Sequence, residues 1–199
     1  MSNPISDAVI DQLFRNARTQ NGWTSEPVTD AQIKALYDIY KMGPTSGNNQ
    51  PARVIFVRSP EGKARLLPAM SPGNQEKTKT APVTAIIGYD VEFYHHLPRL
   101  FPHNPAMKDM FAGPGKEAAA QAAAFRNGTL QGAYLMLAAR MIGLDVGGMS
   151  GFDAAKVDAE FWAGTTVKTN FLCNIGHGDP AKVMGRLPRF EFDEINKII

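Results

Sequence analysis

EAAAQAAAFRNGTLQGAYLMLAARMI, from Glu117 to Ile142, decides the architecture. Alanine is the best helix former, and nothing in the run forbids a helix, so the stretch predicts one of roughly 39 Å. Small residues lie all around its circumference, with Leu130, Tyr134, Leu135, Leu137 and Met141 gathered toward the end. A helix apolar on nearly every side is a buried helix. A partner subunit is the expected cover for part of it. Gly128 costs about 1 kcal/mol against alanine at such a position, which points to a close contact there.

Outward from this helix the pattern changes element by element. Gly143 ends it, a short strand begins at Leu144–Val146, and Asp153 caps a helix through Phe161. Phe171–Ile175 reads as the last core strand, and the tail from Pro188 to Ile199 alternates Phe190 and Phe192 before a short helix. On the other side, Glu92–Gly115 is rich in proline and aromatics and reads as an excursion covering something, with a short helix around Met107. Further back lie strands at Val54–Arg58 and Val83–Tyr89 and helices at Lys63–Met70 and Asn74–Thr80. The chain opens with a helix over Ser6–Ala17, Ser6 as its cap, and a second from Thr29 or Asp30 to Tyr40. Pro44–Pro51 packs two prolines, a glycine, two asparagines, a serine and a threonine into eight residues, the chemistry of an ordered turn. With no repeat and no composition shift, residues 1–199 read as one α+β domain.

Composition narrows the function classes. The 199 residues are 44% hydrophobic and 20% charged, enough for a buried core, and the net charge is only +2. That balance offers no footprint for nucleic acid or an anionic membrane surface. No apolar run approaches the ~20 residues that cross a bilayer, and Met1–Gln12 lacks a signal-peptide core, so a cytoplasmic protein is expected. Cys173 is the one cysteine and sits in an apolar run, which suits a small buried hydrophobe better than a reactive thiol.

Several familiar chemistries are missing. Neither GxGxxG after a strand nor GxxxxGK[ST] occurs, so no Rossmann or P-loop crevice is expected. His95 and His96 are adjacent and point apart on any regular element, and His103 and His177 have no ligand at metal spacing. Met149-Ser150-Gly151 is one residue short of a nucleophile elbow. What remains suits a dianionic, planar ligand: Arg18-Thr19-Gln20-Asn21 puts a guanidinium, a hydroxyl and an amide together, and Arg189 adds a second cation far along the chain.

In order and spacing, several segments together resemble the FMN-dependent nitroreductase superfamily. They are Ala17–Trp23, Gly43–Arg53, Gly73–Thr78 with Ala81-Pro82-Val83, Glu92-Phe93-Tyr94, Leu97-Pro98, Leu100–His103, Ala124–Asn127, Met149–Asp153, Asn174-Ile175-Gly176 and Arg186–Arg189. Within that superfamily the chain is similar to the malonic semialdehyde reductases of bacterial pyrimidine degradation and their haloacid-pathway relatives. The resemblance implies a nitroreductase-like fold, a central mixed or antiparallel sheet flanked by helices, in an intertwined homodimer with FMN at the subunit interface.

Carried onto this sequence, the resemblance assigns Arg18 and Thr19 to the FMN phosphate and ribityl chain, and Arg186 and Arg189 to the C-terminal cationic side of the same site. Many relatives have a second basic residue where this chain has Asn21, so the phosphate role of Asn21 stays open. Thr45, Ser46 and Asn48 match the loop that reaches the flavin from the partner. Asn74 and Lys77 match the pyrimidine edge, and Gly148, Met149, Ser150 and Gly151 match the backbone facing flavin N5. Lys77 would stabilise the negative charge that grows on reduction. Asn74-x-x-Lys77 spacing puts both side chains on one helical face.

The implied activity is ping-pong hydride transfer from NADH or NADPH, through FMN, to a small acceptor, malonic semialdehyde giving 3-hydroxypropanoate. Arg126 or Arg99 would meet a substrate carboxylate. The alternatives are a broad nitroaromatic or quinone reductase and a flavin-binding protein without turnover.

Overall fold

A computed structural model describes residues 3–199; Met1 and Ser2, part of the segment read for a leader, lie outside the described residues. Four antiparallel strands form the centre: β1 (Ala52–Val57), β2 (Val83–Asp90), β3 (Asp145–Met149) and β4 (Val167–Gly176), in the spatial order β1-β2-β4-β3. β2 and β4 are the inner strands. Every residue of β2 is buried, because both of its faces are covered. Its alternate side chains therefore serve two cores: Ala85 and Ile87 point to one, Ile86 to the other.

On the first face lies the long helix read from the sequence, α6 (Glu117–Met141), with α2 (Asp30–Tyr40) packed beside it. Gly128 and Gly132, one turn apart, let α6 settle onto the sheet. A Cβ at Gly128 would lie 2.8 Å from that of Tyr89, and one at Gly132 would lie 2.5 Å from the Phe171 ring. The close contact expected at Gly128 is therefore real. α6 is not buried all round in one protomer: Ala124, Gly128, Gln131, Leu135 and Ala138 face inward, while Phe125, Leu130 and Met141 are exposed.

The second face is covered by α3 (Pro60–Leu66), α4 (Pro72–Thr80) and α7 (Ala154–Phe161), the last capped by Asp153 as expected. The excursion contains α5 (Leu97–Leu100) and two short 3-10 segments, one of them over Pro105–Met110. Fully buried Phe93 and Leu97 fix it against Ala124 of α6. It covers the N-terminal half of that helix. Cys173 is fully buried, and burial pushes its thiol up to about 12, as befits a core residue.

Several expectations need correction. Of the two sheets expected, mixed or antiparallel, the antiparallel one is found, and among the described residues its single parallel pairing is an isolated bridge from Thr19 to Val146. The first helix ends at Arg15 rather than Ala17, as α1 (Asp7–Ile10) followed by a π turn, and Ser6 makes no side-chain cap bond. The strand expected at Leu144–Val146 starts at Asp145 and runs on through two glycines to Met149. Gly147 is needed there because a Cβ would stand 2.5 Å from the Gln20 carbonyl oxygen. Arg58 falls outside β1 and pairs with Asp30 at 2.7 Å instead.

Candidate cofactor site

The π turn that follows α1 (Asp11–Arg15) and the C-terminal turn of α6 are tied together by two reciprocal bonds. Gln12 Nε2 donates to the Arg140 carbonyl at 2.6 Å, and Arg140 donates to the Leu13 carbonyl at 2.8 Å. Beyond that π turn the chain turns up beside β3, where the Gln20 amide donates to the Val146 carbonyl at 3.0 Å. Arg18 and Thr19 are thereby placed at the sheet edge. The C-terminal segment comes back to the same place: Arg18 donates to the Met184 carbonyl, and Arg186 to the Arg15 and Ala17 carbonyls.

These segments enclose a cavity of about 620 Å³ whose lining includes Arg18, Thr19, Asn21, Arg140, Arg186 and Arg189. None of the four guanidiniums makes an ion pair among the described residues; they donate to backbone carbonyls instead. Four uncompensated cations around one open space favour an anion with several acceptor oxygens, which guanidiniums can grip two at a time. Arg140 escaped the sequence reading, although a basic residue in the last turn of a long helix was visible there.

Two bonds lead from this cavity toward the glycine-rich strand. Lys77 Nζ donates to Asn21 Oδ1 at 3.3 Å, and Asn74 Nδ2 donates to the Gly151 carbonyl at 2.8 Å. Asn74 and Lys77 are half-buried, while Gln75 and Glu76 between them are exposed, so the shared helical face expected from their spacing is the inward one. Burial draws the Lys77 ammonium below its ordinary pKa. The Lys77 carbonyl accepts from Trp23 Nε1 at 3.0 Å and Asn174 Nδ2 at 3.1 Å, which pins this turn of α4. Gly151 has no room for a side chain: a Cβ would lie 2.6 Å from Asn74 Nδ2. Gly148 and Ser150 are exposed beside it. Met149 differs from its neighbours. Its side chain is buried in the second core, with its sulfur 3.6 Å from both Thr78 Oγ1 and Asn174 Nδ2, so only its backbone is left to the site.

Thr45, Ser46 and Asn48 are not with the others. Their loop is held at α6, where the Ser46 amide donates to Asn127 Oδ1 at 2.8 Å, and at the excursion, where Asn48 Nδ2 donates to the Leu100 carbonyl at 2.8 Å. From Asn127 to Arg140 along α6 is about 20 Å. Arg99 and Arg126, the candidate carboxylate cations, are exposed and adjoin in sequence the two residues that hold this loop, Leu100 and Asn127 respectively. The single chain thus brings together Arg18, Thr19, Asn21, Asn74, Lys77, Ser150, Gly151, Arg186 and Arg189. It keeps the 45–48 loop apart.

Fold and site together define an α+β protein with a cationic cradle at the edge of an antiparallel sheet, continued by amides and an ammonium onto exposed glycine backbone. The chain belongs to the nitroreductase family, whose model matches residues 1–177. A Burkholderia lata protein named "Putative NADH dehydrogenase/NAD(P)H nitroreductase" is 58% identical over 194 residues, 98% of each chain. HadB of Ralstonia pickettii, which carries the same descriptive name, is 57% identical over 182 residues, 92% of this chain and 93% of that one. In three dimensions the fold superposes on an Exiguobacterium sibiricum structure described as "a putative nitroreductase in complex with FMN". That match has a TM-score of 0.86 and 19% identity over the whole of both chains. Arg186 and Arg189 lie beyond the matched family segment, so their place in the site rests on the cavity they share with Arg18.

Proposed function

We propose that two copies of this chain, each a single domain, bind FMN across their interface. In this reading the dimer is a cytoplasmic oxidoreductase that uses NADH or NADPH to reduce a small carboxylate-bearing aldehyde, malonic semialdehyde. The observation that carries this reading is the cavity of four unpaired arginines joined, through Asn21–Lys77 and Asn74–Gly151, to exposed glycine backbone. The donor set fits the group: guanidiniums and the Thr19 hydroxyl for a phosphate dianion, amides for a heterocycle edge, bare backbone where a ring must lie close. Bound FMN would supply the hydride chemistry between the nicotinamide and the acceptor.

The chain's own residues then have distinct tasks. Arg18, Arg140, Arg186 and Arg189 neutralise and fix the phosphate. Lys77, half-desolvated, sets a positive charge against the edge where negative charge grows, an interaction stronger there than in water. The Gly148–Gly151 backbone offers close approach without side-chain interference. Arg99 and Arg126, free of ion pairs among the described residues, adjoin in sequence the residues that hold the loop which would enter the partner's site, where an acceptor carboxylate needs a cation. The partner contact itself is supported by exposed apolar side chains, Phe125, Leu130 and Met141 on α6 and Leu187 and Phe190 on the tail, which a second copy would cover. No helix among the described residues is long and apolar enough to cross a membrane.

The test is direct. Purified protein should be yellow, elute as a dimer and hold one FMN per chain. It should turn over malonic semialdehyde with a higher kcat/KM than a nitroarene or quinone. The reverse order would favour a broad nitro- and quinone reductase, a reading that the printed names of the relatives also suit. Flavin that NAD(P)H leaves unbleached under anaerobic conditions would mark a carrier without turnover.

A further inference from the structure

α6 carries three polar side chains on one stripe of an otherwise apolar inner surface: Asn127, Gln131 and Tyr134, spaced four and three residues apart. Each holds a backbone group of the 44–52 loop. Asn127 Oδ1 accepts from the Ser46 amide at 2.8 Å, Gln131 Oε1 accepts from the Ala52 amide at 2.9 Å, and Tyr134 Oη donates to the Pro44 carbonyl at 3.0 Å. Asn127 is only 2% exposed and Gln131 5%, and Asn127 Nδ2 is itself tied to the Ala123 carbonyl at 2.9 Å, which fixes which atom faces the loop. The loop between these anchors is costly to hold. Gly47, Asn48 and Gln50 have φ of 55°, 48° and 38°, a left-handed backbone that Asn and Gln adopt at a penalty. A loop kept in that shape by two buried amides one turn apart, and by a tyrosine hydroxyl a turn further on, is over-determined from the helix beneath it.

We propose that Asn127, Gln131 and Tyr134 are positioning residues that hold this loop in the conformation needed to complete the cofactor site of the partner subunit. The inference rests on the dimeric FMN reading above. The α6 residues touch no ligand themselves; they act through Thr45, Ser46 and Asn48. Their arrangement also makes one helix serve both halves of the site, the partner's through the loop and its own through Arg140 some 20 Å away.

Mixed dimers provide the test. FMN content and FMN affinity, read by fluorescence quenching, are measured for Arg18→Ala and Asn127→Leu homodimers and for the mixed dimer carrying one of each, isolated with two tags. Each homodimer should bind FMN about tenfold or more weakly, the scale of a lost buried acceptor or charged bond. In the mixed dimer one site joins both defects and the other joins none, so it should hold one FMN per two chains at wild-type affinity. A mixed dimer without FMN would show that the loop serves its own subunit and would overturn the proposal, as would an Asn127→Leu homodimer with wild-type affinity. Tyr134→Phe, which removes one oxygen, and the near-isosteric Gln131→Met repeat the measurement should Asn127→Leu not fold. Failure of the underlying reading looks different: the wild-type chain itself would then lack FMN or run as a monomer.

Discussion

Lys63 lies in the second core with 6% exposure and no acidic partner among the described residues, its Nζ donating to the Thr78 carbonyl at 2.8 Å and to Thr84 Oγ1 at 2.5 Å. The Thr84 hydroxyl donates to Asn174 Oδ1 at 2.6 Å, and Asn174 in turn holds the Lys77 carbonyl, so this lysine underpins the turn of α4 that presents Lys77. Burial alone pulls its pKa from the ordinary 10.5 to about 7. The unfolded chain therefore binds the proton more readily, and folding stability rises with pH through the window between about 7 and 10.5. Below pH 7 the full penalty applies, about 5 kcal/mol; between pH 7 and 9 about 2 kcal/mol of it should be recovered. Lys63→Met removes this titration. It also strips a donor from the Thr78 carbonyl and Thr84, at about 1–3 kcal/mol each, so absolute stability at one pH is not diagnostic.

The pH dependence is diagnostic. Urea unfolding of wild type and Lys63→Met at pH 7, 8 and 9, at one fixed protein concentration and without added flavin, should show wild type gaining about 2 kcal/mol on the variant across the series. Tyr40 and Cys173, each pushed up to about 12 by burial, titrate in the opposite sense at the alkaline end. They are present in both proteins, as is Lys77, and cancel in the difference. A difference that stays flat from pH 7 to 9 would refute the reasoning, because it would mean that the buried ammonium is solvated or compensated.

Arg18→Ala should weaken FMN retention by about 1.5–3 kcal/mol, the loss of a charged hydrogen bond, and unchanged flavin content after dialysis would remove Arg18 from the site. Lys77→Met should slow reduction of bound flavin by NAD(P)H and lower its midpoint potential more than it lowers FMN content; equal losses in all three would leave Lys77 a mere binding contact. Cys173 should resist a thiol reagent at pH 8 in the native protein and react fully in urea, since the nucleophilic thiolate is both buried and disfavoured there. Labelling of the native protein at the rate of a free thiol would contradict its place in the core.

α6 was readable in the sequence because alanine propensity and length agree, and β2 because its run is apolar and rich in isoleucine and valine. β3 was only half readable. Gly147 and Gly148 have poor strand propensity, and the strand persists because the Gln20 carbonyl must come within reach of Gly147, a contact between segments more than 120 residues apart. The convergence of Arg18 with Arg186 and Arg189 has the same character: no local pattern joins residues some 170 positions apart, and only the family resemblance suggested it. Asn127, Gln131 and Tyr134 are a different case. Their spacing of four and three was on the page as a polar stripe in an alanine-rich helix, and its meaning needed the loop that it holds.

The long helix explains why such a site would be shared. Within one chain α6 separates the 45–48 loop, gripped near Asn127, from the cations around Arg140 by about 20 Å, so the two do not meet in the single chain. In the proposed dimer, the faces of α6 turned away from its own sheet carry the apolar side chains that a second copy would bury, and burial at about 25 cal/mol per Å² would be the force that brings loop and cradle together. Cofactor binding and dimerisation then share contacts, and each must strengthen the other by the same factor. The alanines that make α6 slender enough for close packing and the amides that fix its loop would thus be two parts of one device, and in the proposed dimer the cofactor's affinity would depend on amides of α6 that it does not touch as well as on the arginines, Arg140 of the same helix among them, that would hold its phosphate.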